Sequence, residues 1–433
     1  MNLFALNDIS HFLSKYNVIN LFGRLFEQLS SAVILYAALI LLSVFTVIRL
    51  FVKNNVSISF KRIGLKFKLP RISVCPKSLL GYEFRKAAGN WLVIISLMLL
   101  VIVKIMLSSS EYQVNRSFND AVYKNYMIQL EGEWTQEKSD FIKAQRQYFN
   151  EILDINKKEE MGRMYKDGEI EHGEYYKYID EYYDAKAKSE PFERIEARNE
   201  YLISALAEGK DVAFVYDTSY NKLLFASMDI TLLLLISILL SGIFADEYLS
   251  GFDKILRASP RGRRQVCRAK LIYAFIVTTA VFIAFSVIDA VNLVQNYDFA
   301  SSSLPIASIP AFGEFGGLSL GAFIALIYIE KYIAYLIFVT FLCGLSLLLK
   351  RTVTALFVAA GTYFLPYILK SIVSDKFDYI DMTNLLSPGG YLVKSVDVHF
   401  INIFGLFASL LVLALTVALT TGLISVRRFC KTY

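Results

Sequence analysis

Residues that could do chemistry are few and widely spaced. His11, His172 and His399 stand far apart, and Cys75, Cys267, Cys343 and Cys430 include no paired C-x-x-C, so metal-ligand spacing is missing. The chain holds no G-x-x-x-x-G-K-[ST] loop to cradle nucleotide phosphates and no G-x-S-x-G nucleophile turn. Five ionisable side chains lie within or beside apolar runs: Lys104, Asp229, Asp289, Glu330 and Lys331. A charge in that setting points by default to an ion path or proton relay. All five, however, fall toward one end of their runs, where snorkelling or a wet interface accounts for them. Asp289, flanked by apolar residues on both sides, is the candidate transport-path residue. The sequence therefore reads as a non-enzyme that needs no cofactor.

The densest polar constellation is 242–272, between two apolar runs. It sets Asp246, Glu247 and Asp253 beside Lys254, Arg257, Arg261, Arg263, Arg264, Arg268 and Lys270. Phe252, Ile255 and Leu256 add an apolar anchor of the kind that docks in a partner's pocket. A charged, partly amphipathic elbow joining two spans suits a grip for a soluble partner. The competing reading is an ordinary solvated loop, and for Arg261, Arg263 and Arg264 that reading is preferred.

Composition supplies the elements that hold these residues. Hydrophobic residues make up 55% of the chain and charged residues only 19%, with a mean hydropathy of +0.45, outside the range of a soluble domain. Apolar runs suited to a hydrocarbon core of ~30 Å recur at 32–48, 91–107, 230–245, 271–288, 332–349, 353–369 and 401–426. The expected fold is an all-α polytopic membrane protein of about seven transmembrane helices with a large helical extracellular insertion. No cleavable signal peptide is read at the start.

Lysine and arginine collect in the first connector, in the elbow, at Lys350-Arg351 and at Arg427, Arg428 and Lys431. Taken as cytoplasmic, these segments alternate with the spans and place the N-terminus outside and the C-terminus in the cytoplasm. The stretch 108–228 carries 24 acidic and 16 basic side chains against an overall net charge of +6. An acidic outer domain thus faces a basic inner surface. Nucleic-acid binding is not implied, because the basic residues sit where the positive-inside bias puts them. The outer segment lacks cysteine and must be held by packing alone, which fits a Gram-positive-like plasma membrane.

Within 108–228, Phe141, Ala144, Tyr148 and Ile152 form an amphipathic stripe expected to be buried. Lys166-Asp167-Gly168-Glu169 signals a turn, Pro191 a helix break or a new first turn, and 212–215 followed by Tyr216-Asp217-Thr218 an extended piece. Tyr175, Tyr176, Tyr178, Tyr182 and Tyr183 are read as packing residues rather than a ligand wall. Further on, 318–329 is expected as an interfacial or re-entrant helix ended by Glu330-Lys331, and Gly313, Gly316 and Gly317 as flexible loop.

Glu247-Tyr248, Gly251, Ile255-Leu256-Arg257, Gly262 and Ala269-Lys270 resemble the pattern after the second core helix of ABC-2-type transporter permeases. The segment Leu79-Leu80-Gly81-Tyr82-Glu83-Phe84-Arg85-Lys86 is similar to the amphipathic piece before that family's first core helix. The order of helices agrees from about residue 79 onward. Lys166–Glu169 and Tyr216-Asp217-Thr218 further resemble clostridial-type members with helical extracellular domains. The resemblance implies 1–78 as an additional helix and basic linker, 79–107 as leading segment and first core helix, 108–228 as the extracellular domain and 229–433 as the remaining core with its elbow at 246–270. The additional helix exceeds the family's six-helix plan and resembles the end of a preceding permease half, as in a split two-half protein. The family's ATPase is not in this chain.

The resemblance also implies partners: an ABC ATP-binding subunit, a second permease copy or related permease, and membrane lipid. Tyr82, Glu83, Arg85, Lys86, Glu247, Gly251, Phe252, Ile255, Leu256 and Arg257 would dock the ATP-binding subunit. The function implied is export of a peptide, lipid-like or drug-like substrate. Two rivals remain open at this point, a membrane sensor that binds a peptide through its extracellular domain and an ion-driven secondary carrier.

Overall fold

Two short strands, β1 (Val18–Leu21) and β2 (Arg24–Glu27), pair antiparallel with Val18 opposite Glu27 and Leu21 opposite Arg24. They belong to a unit spanning Met1–Cys75, and everything else described belongs to the unit Pro76–Tyr433. The computed structural model describes residues 18–21, 24–27, 78–89, 91–112, 117–258, 262–297, 299–374, 377, 380–389, 392 and 400–430. The expected span at 32–48 and the first basic connector lie outside these residues.

The second unit is helical almost throughout. Helix α1 (Leu79–Ala88) starts at Ser78, whose hydroxyl accepts the amide of Gly81, one of the free donors at a helix start. It bends into α2 (Trp91–Glu111), which carries Lys104. The insertion follows as α3 (Phe118–Leu130), β3 (Gly132–Glu133), α4 (Gln136–Ile152), α5 (Ile155–Lys166), α6 (His172–Ala207), β4 (Ala213–Phe214) and α7 (Asp217–Leu224). The chain then runs through α8 (Ile230–Leu240), α9 (Gly242–Leu249), α10 (Phe252–Ala258) and α11 (Arg264–Asn296). It ends with α12 (Leu320–Leu349), α13 (Thr352–Ile372) and α14 (Phe400–Cys430).

Four helical stretches are long and apolar enough to cross a membrane: Ile230–Leu249, Arg264–Asn296, Leu320–Leu349 and Thr352–Lys370. The bent α1–α2 pair makes a fifth if taken as one span, and α14 contains the apolar stretch Leu410–Ile424. Six of the expected runs therefore fall on helices. Their shared core gathers Leu235, Ile236, Phe244, Phe285, Phe338, Leu342, Ala414 and Phe429. Gly344 and Gly422 bring α12 and α14 close together: a methyl at Gly344 would meet the Gly422 amide nitrogen at 3.1 Å.

The insertion has its own core of Tyr123, Met127, Ile142, Phe149, Phe192, Ile195, Leu202 and Phe214. Ser117, Thr135 and Asp154 cap α3, α4 and α5 by accepting backbone amides. The expected turn at 166–169 and extended piece at 212–215 fall where α5 ends and where β4 pairs with β3, but Asp217 and Thr218, expected to be extended too, open α7 instead. Among the tyrosines, Tyr178 and Tyr182 are buried in the core, whereas Tyr176 and Tyr183 are exposed.

Four further expectations differ from the structure. On α4 the buried stripe is Ile142, Phe149 and Ile152: the expected Ile152 is buried, while Phe141 and Tyr148 stay 42% and 43% exposed. Both stripes have helical spacing. The buried one begins at the polar Ser139, whose hydroxyl accepts from Asn199, so spacing alone does not tell the two faces apart. Pro191 does not break α6. Burial of Phe192, Ile195 and Leu202 outweighs the ~3 kcal/mol that an interior proline costs a helix. Residues 318–329 form no separate interfacial helix, because α12 runs unbroken through Glu330-Lys331, two good helix formers. Gly313 is packed rather than loose: its missing methyl leaves room for the Tyr201 hydroxyl, which donates to Ala307 O at 2.6 Å.

The last contact ties the insertion to the connector 299–319. Arg198 donates to Ser308 O at 3.0 Å, and the Ala213 amide donates to Ser308 Oγ at 2.9 Å. Arg198 also pairs with Asp217, which accepts from Tyr123. Burial pushes the Tyr123 phenol well above its ordinary range, and the Asp217 carboxylate adds to that. Burial opposes the Arg198 charge, but the same carboxylate more than offsets it and holds the guanidinium above its usual value.

The two α4 stripes make a direct comparison. Phe149→Ala is expected to cost the full-length protein ~3–5 kcal/mol and Phe141→Ala under ~1 kcal/mol, read by Trp134 fluorescence during denaturant unfolding in detergent.

Candidate functional site

The elbow is a helix, a tight turn and a second short helix. Helix α9 closes when the Ser250 amide donates to Asp246 O and the Gly251 amide to Tyr248 O. Gly251 takes φ 71°, the left-handed conformation that glycine adopts without a Cβ penalty. Its place in the elbow is thus conformational, and nothing lies within reach of its absent side chain. From this turn α10 projects Phe252 and Ile255 outward, next to Leu249 on α9, with Ile255 64% exposed. Leu256 is half-buried, and the Arg257 side chain lies outside the described residues. On α1, Leu79, Tyr82 and Arg85 are exposed as well. Phe84 holds α1 on α11 through an edge-to-face contact with Tyr273 at 4.9 Å.

Beneath that surface lies a buried ionic cluster. Lys270 of α11 is fully buried, 2.6 Å from Glu247 of α9 and 2.9 Å from Glu83 of α1. Its third proton goes to Ile243 O at 2.9 Å, so the ammonium has a full set of acceptors. Lys86 stands 4.0 Å from Glu247, and the Phe244 ring lies 5.6 Å from the Lys270 nitrogen. Glu83 and Glu247, expected on a docking face, therefore point inward. The physical reason is Lys270: an ammonium withdrawn from water needs carboxylates around it. Lys86 is half-buried between the two situations.

A second cluster sits where the same helices meet the insertion. Lys104 of α2 reaches Asp229 at 2.7 Å and Asp289 of α11 at 2.6 Å. Asp229 also caps α8, its Oδ1 accepting from the Leu232 amide at 3.0 Å and from Thr231 at 2.6 Å. The Phe285 ring lies 5.9 Å from the Lys104 nitrogen. One turn further along, Asn292 donates to Ser108 at 2.9 Å. Sequence reasoning took Lys104 and Asp229 as separate interfacial charges and Asp289 as a candidate for the transport path, and the fold brings all three together. Lys331 of α12 donates to Ala226 O at 3.4 Å and lies near enough to Asp289 and Asp229 to feel their charge, without pairing with either.

Between the two clusters the α8–α9 span has a discontinuity at Ser241. The Ser346 hydroxyl of α12 donates to Ser241 O at 2.7 Å and accepts from the amides of Phe244 and Ala245 at 3.3 and 3.1 Å. A side chain inserted there satisfies backbone groups that lipid could not. Two apolar recesses flank α12 and α14. One of about 190 Å³ is lined by Ile333, Ile337, Thr340 and Leu419, and one of about 180 Å³ by Cys343, Gly344 and Leu423. Both are smaller than the ~300 Å³ at which ligand pockets begin.

The inward-facing lysines were the part sequence reasoning missed. One signal was available: Lys270 falls on the same helical stripe as Val266, Tyr273 and Ala274, all buried, so a charge sat on the apolar face of α11.

The sequence model described as ABC-2 family transporter protein matches residues 78–420. No curated protein and no solved structure matches the chain. The match runs from the residue that caps α1 into the apolar stretch of α14, taking in the elbow, both ionic clusters and the four long apolar helices. On that evidence the chain belongs to the ABC-2 family of transporter proteins and is a multi-pass membrane permease.

Proposed function

We propose that this permease is the membrane subunit of an ATP-driven exporter, worked by a separate ATP-binding subunit that docks on the elbow. The carrying observation is the exposed apolar row Leu249, Phe252 and Ile255, set on a turn whose base is fixed by the buried Lys270 cluster. An apolar row on a rigid support can anchor in a partner's pocket and pass movement on, because packed elements shift as units. Tyr82 and Arg85 of α1 extend this surface, with Leu256, Arg257 and Lys86 at its margin, while Glu83, Glu247 and Gly251 support it from within. The family match favours this reading over a sensor or an ion-driven carrier.

In this reading the elbow faces the cytoplasm of a Gram-positive-like plasma membrane, with the N-terminus outside and the C-terminus inside. The insertion, with its acidic excess, stands outside, across the membrane from the basic inner surface. A second copy or a related permease completes the assembly, and the cargo is a peptide, lipid-like or drug-like molecule passing between the two permeases. Asp289 remains a candidate for the path only at its margin, since one of its oxygens is bound to Lys104.

Two measurements test this. Ile255→Asp is expected to weaken association with its ATP-binding subunit by ~2 kcal/mol, roughly thirtyfold, with normal membrane insertion, in a detergent pull-down. Undiminished co-purification, or transport by ATP-free vesicles given an ion gradient, would sink the reading. For orientation, Ser250→Cys in a background without native cysteines should react with an impermeant thiol reagent only after permeabilisation. Glu169→Cys should react on intact cells, and the reverse pattern would invert the topology.

A further inference from the structure

The two ionic clusters join the same three elements. On the elbow side, Lys270 of α11 binds Glu83 from the α1–α2 pair and Glu247 from the α8–α9 span. On the insertion side, Lys104 from the α1–α2 pair binds Asp229 at the head of α8 and Asp289 of α11. Each cluster is one ammonium between two carboxylates, and each lysine also lies near a phenylalanine ring, Phe244 or Phe285. Between the clusters the helices carry no charge at all along 91–103, 230–245 and 271–288. Lys270 and Asp289 stand 19 positions apart on one unbroken helix, which is ~28 Å of rise and close to the ~30 Å of a hydrocarbon core. The pairs therefore sit at the two ends of the spans.

We propose that Lys270 and Lys104 are positioning residues that clamp the α1–α2 pair, the α8–α9 span and α11 into one rigid transmission unit, pinned at both faces of the membrane. A single pin would let three helices pivot about it, and two pins do not. Movement of the elbow then arrives at the insertion without being absorbed by bending. All three far ends adjoin the insertion: α2 leads toward α3, α7 leads into α8, and α11 leads into the connector bound by Arg198 and Tyr201. By contrast, α12 is joined to this unit through hydrogen bonds to neutral acceptors. They are Ser346 with Ser241, Tyr335 with Asp229 O at 3.2 Å, Thr279 with Tyr332 at 2.7 Å, and Lys331 with Ala226 O. Ion pairs join the unit at both ends, whereas a single ammonium, Lys331, crosses from α12 and meets only a carbonyl, so the joint that gives way lies between the unit and the α12–α14 set. The part played by the elbow rests on the docking reading above, whereas the clamps themselves do not.

Spin-label distances in the full-length protein in lipid nanodiscs test the clamps without the ATP-binding subunit. Native cysteines are replaced by serine. One label pair lies within the unit, Leu249→Cys with Val294→Cys. The other crosses out of it, Leu249→Cys with Ile372→Cys. All three sites are exposed. In the otherwise unaltered protein the within-unit distribution should be the narrower of the two. Lys104→Met should roughly double its width, since breaking a buried pair leaves uncompensated charge, and the charge exchange Lys104→Asp with Asp289→Lys should restore it. Asp289→Asn provides a milder perturbation should Lys104→Met fail to fold. A within-unit distance as broad as the crossing one, or one that neither Lys104→Met nor Asp289→Asn broadens, overturns the proposal. Failure of the unaltered protein to bind the ATP-binding subunit would count against docking and leave the clamp result standing.

Discussion

Much of this structure depends on one constraint, a lysine ammonium buried among apolar helices. Lys270 has no access to water, and an unpaired charge there would be expelled or neutralised. The fold meets that demand by drawing Glu83 and Glu247 in from separate elements and adding the Ile243 carbonyl. The acceptors come from α1 and, twice, from α9, so the position of one amine on α11 fixes where three segments meet. Buried ion pairs of this kind are weak contributors to net stability compared with well-packed hydrophobic residues. Their effect is on geometry, because only one mutual arrangement leaves no charge uncompensated.

The same logic governs the backbone. In lipid an unpaired amide or carbonyl has no water to turn to, so any break in a span must be closed by another chain segment. At Ser241 that closure comes from Ser346, which joins the discontinuity of α8–α9 to α12. Its hydroxyl both donates and accepts, which a methyl-bearing alanine at that position could not do. The adjacent packing of Gly344 against Gly422 shows how close helices come when small residues line the contact, the usual means of helix association without a hydrophobic driving force.

Legibility from sequence followed the range of the interactions. The long helices were readable because apolar runs are local, and the elbow because a glycine turn sits between two runs with Phe252 and Ile255 beside it. The boundaries of α12 were misread because Glu330 and Lys331 resemble a stop when charge alone is weighed. Pro191 was misread because its local penalty is visible while the burial of Phe192 around it is not. On α4 two faces share helical spacing, and the core-facing one includes the polar Ser139, so spacing alone did not tell them apart. Neither ionic cluster was readable as a cluster. Glu83, Glu247 and Lys270 are distant in sequence, and a carboxylate in a charged loop looks the same whether it faces water or an amine.

The distribution of strong and weak joints bears on how such a permease could move. Within α1–α2, α8–α9 and α11 the polar links are full ion pairs at both ends, and separating them exposes charge on each side. Toward α12 the links are hydroxyls on carbonyls, plus one ammonium on a carbonyl, and exchanging such bonds for others costs far less. Ser346 can trade Ser241 O for an acceptor in its own helix, as Thr340 already bonds to Leu336 O one turn earlier on α12. A displacement along the α12 face therefore moves one charge, the Lys331 ammonium on its carbonyl, whereas any displacement among the clamped three pulls ion pairs apart. The placement of charge makes the first the softer motion, and an elbow fixed to the clamped three would drive it.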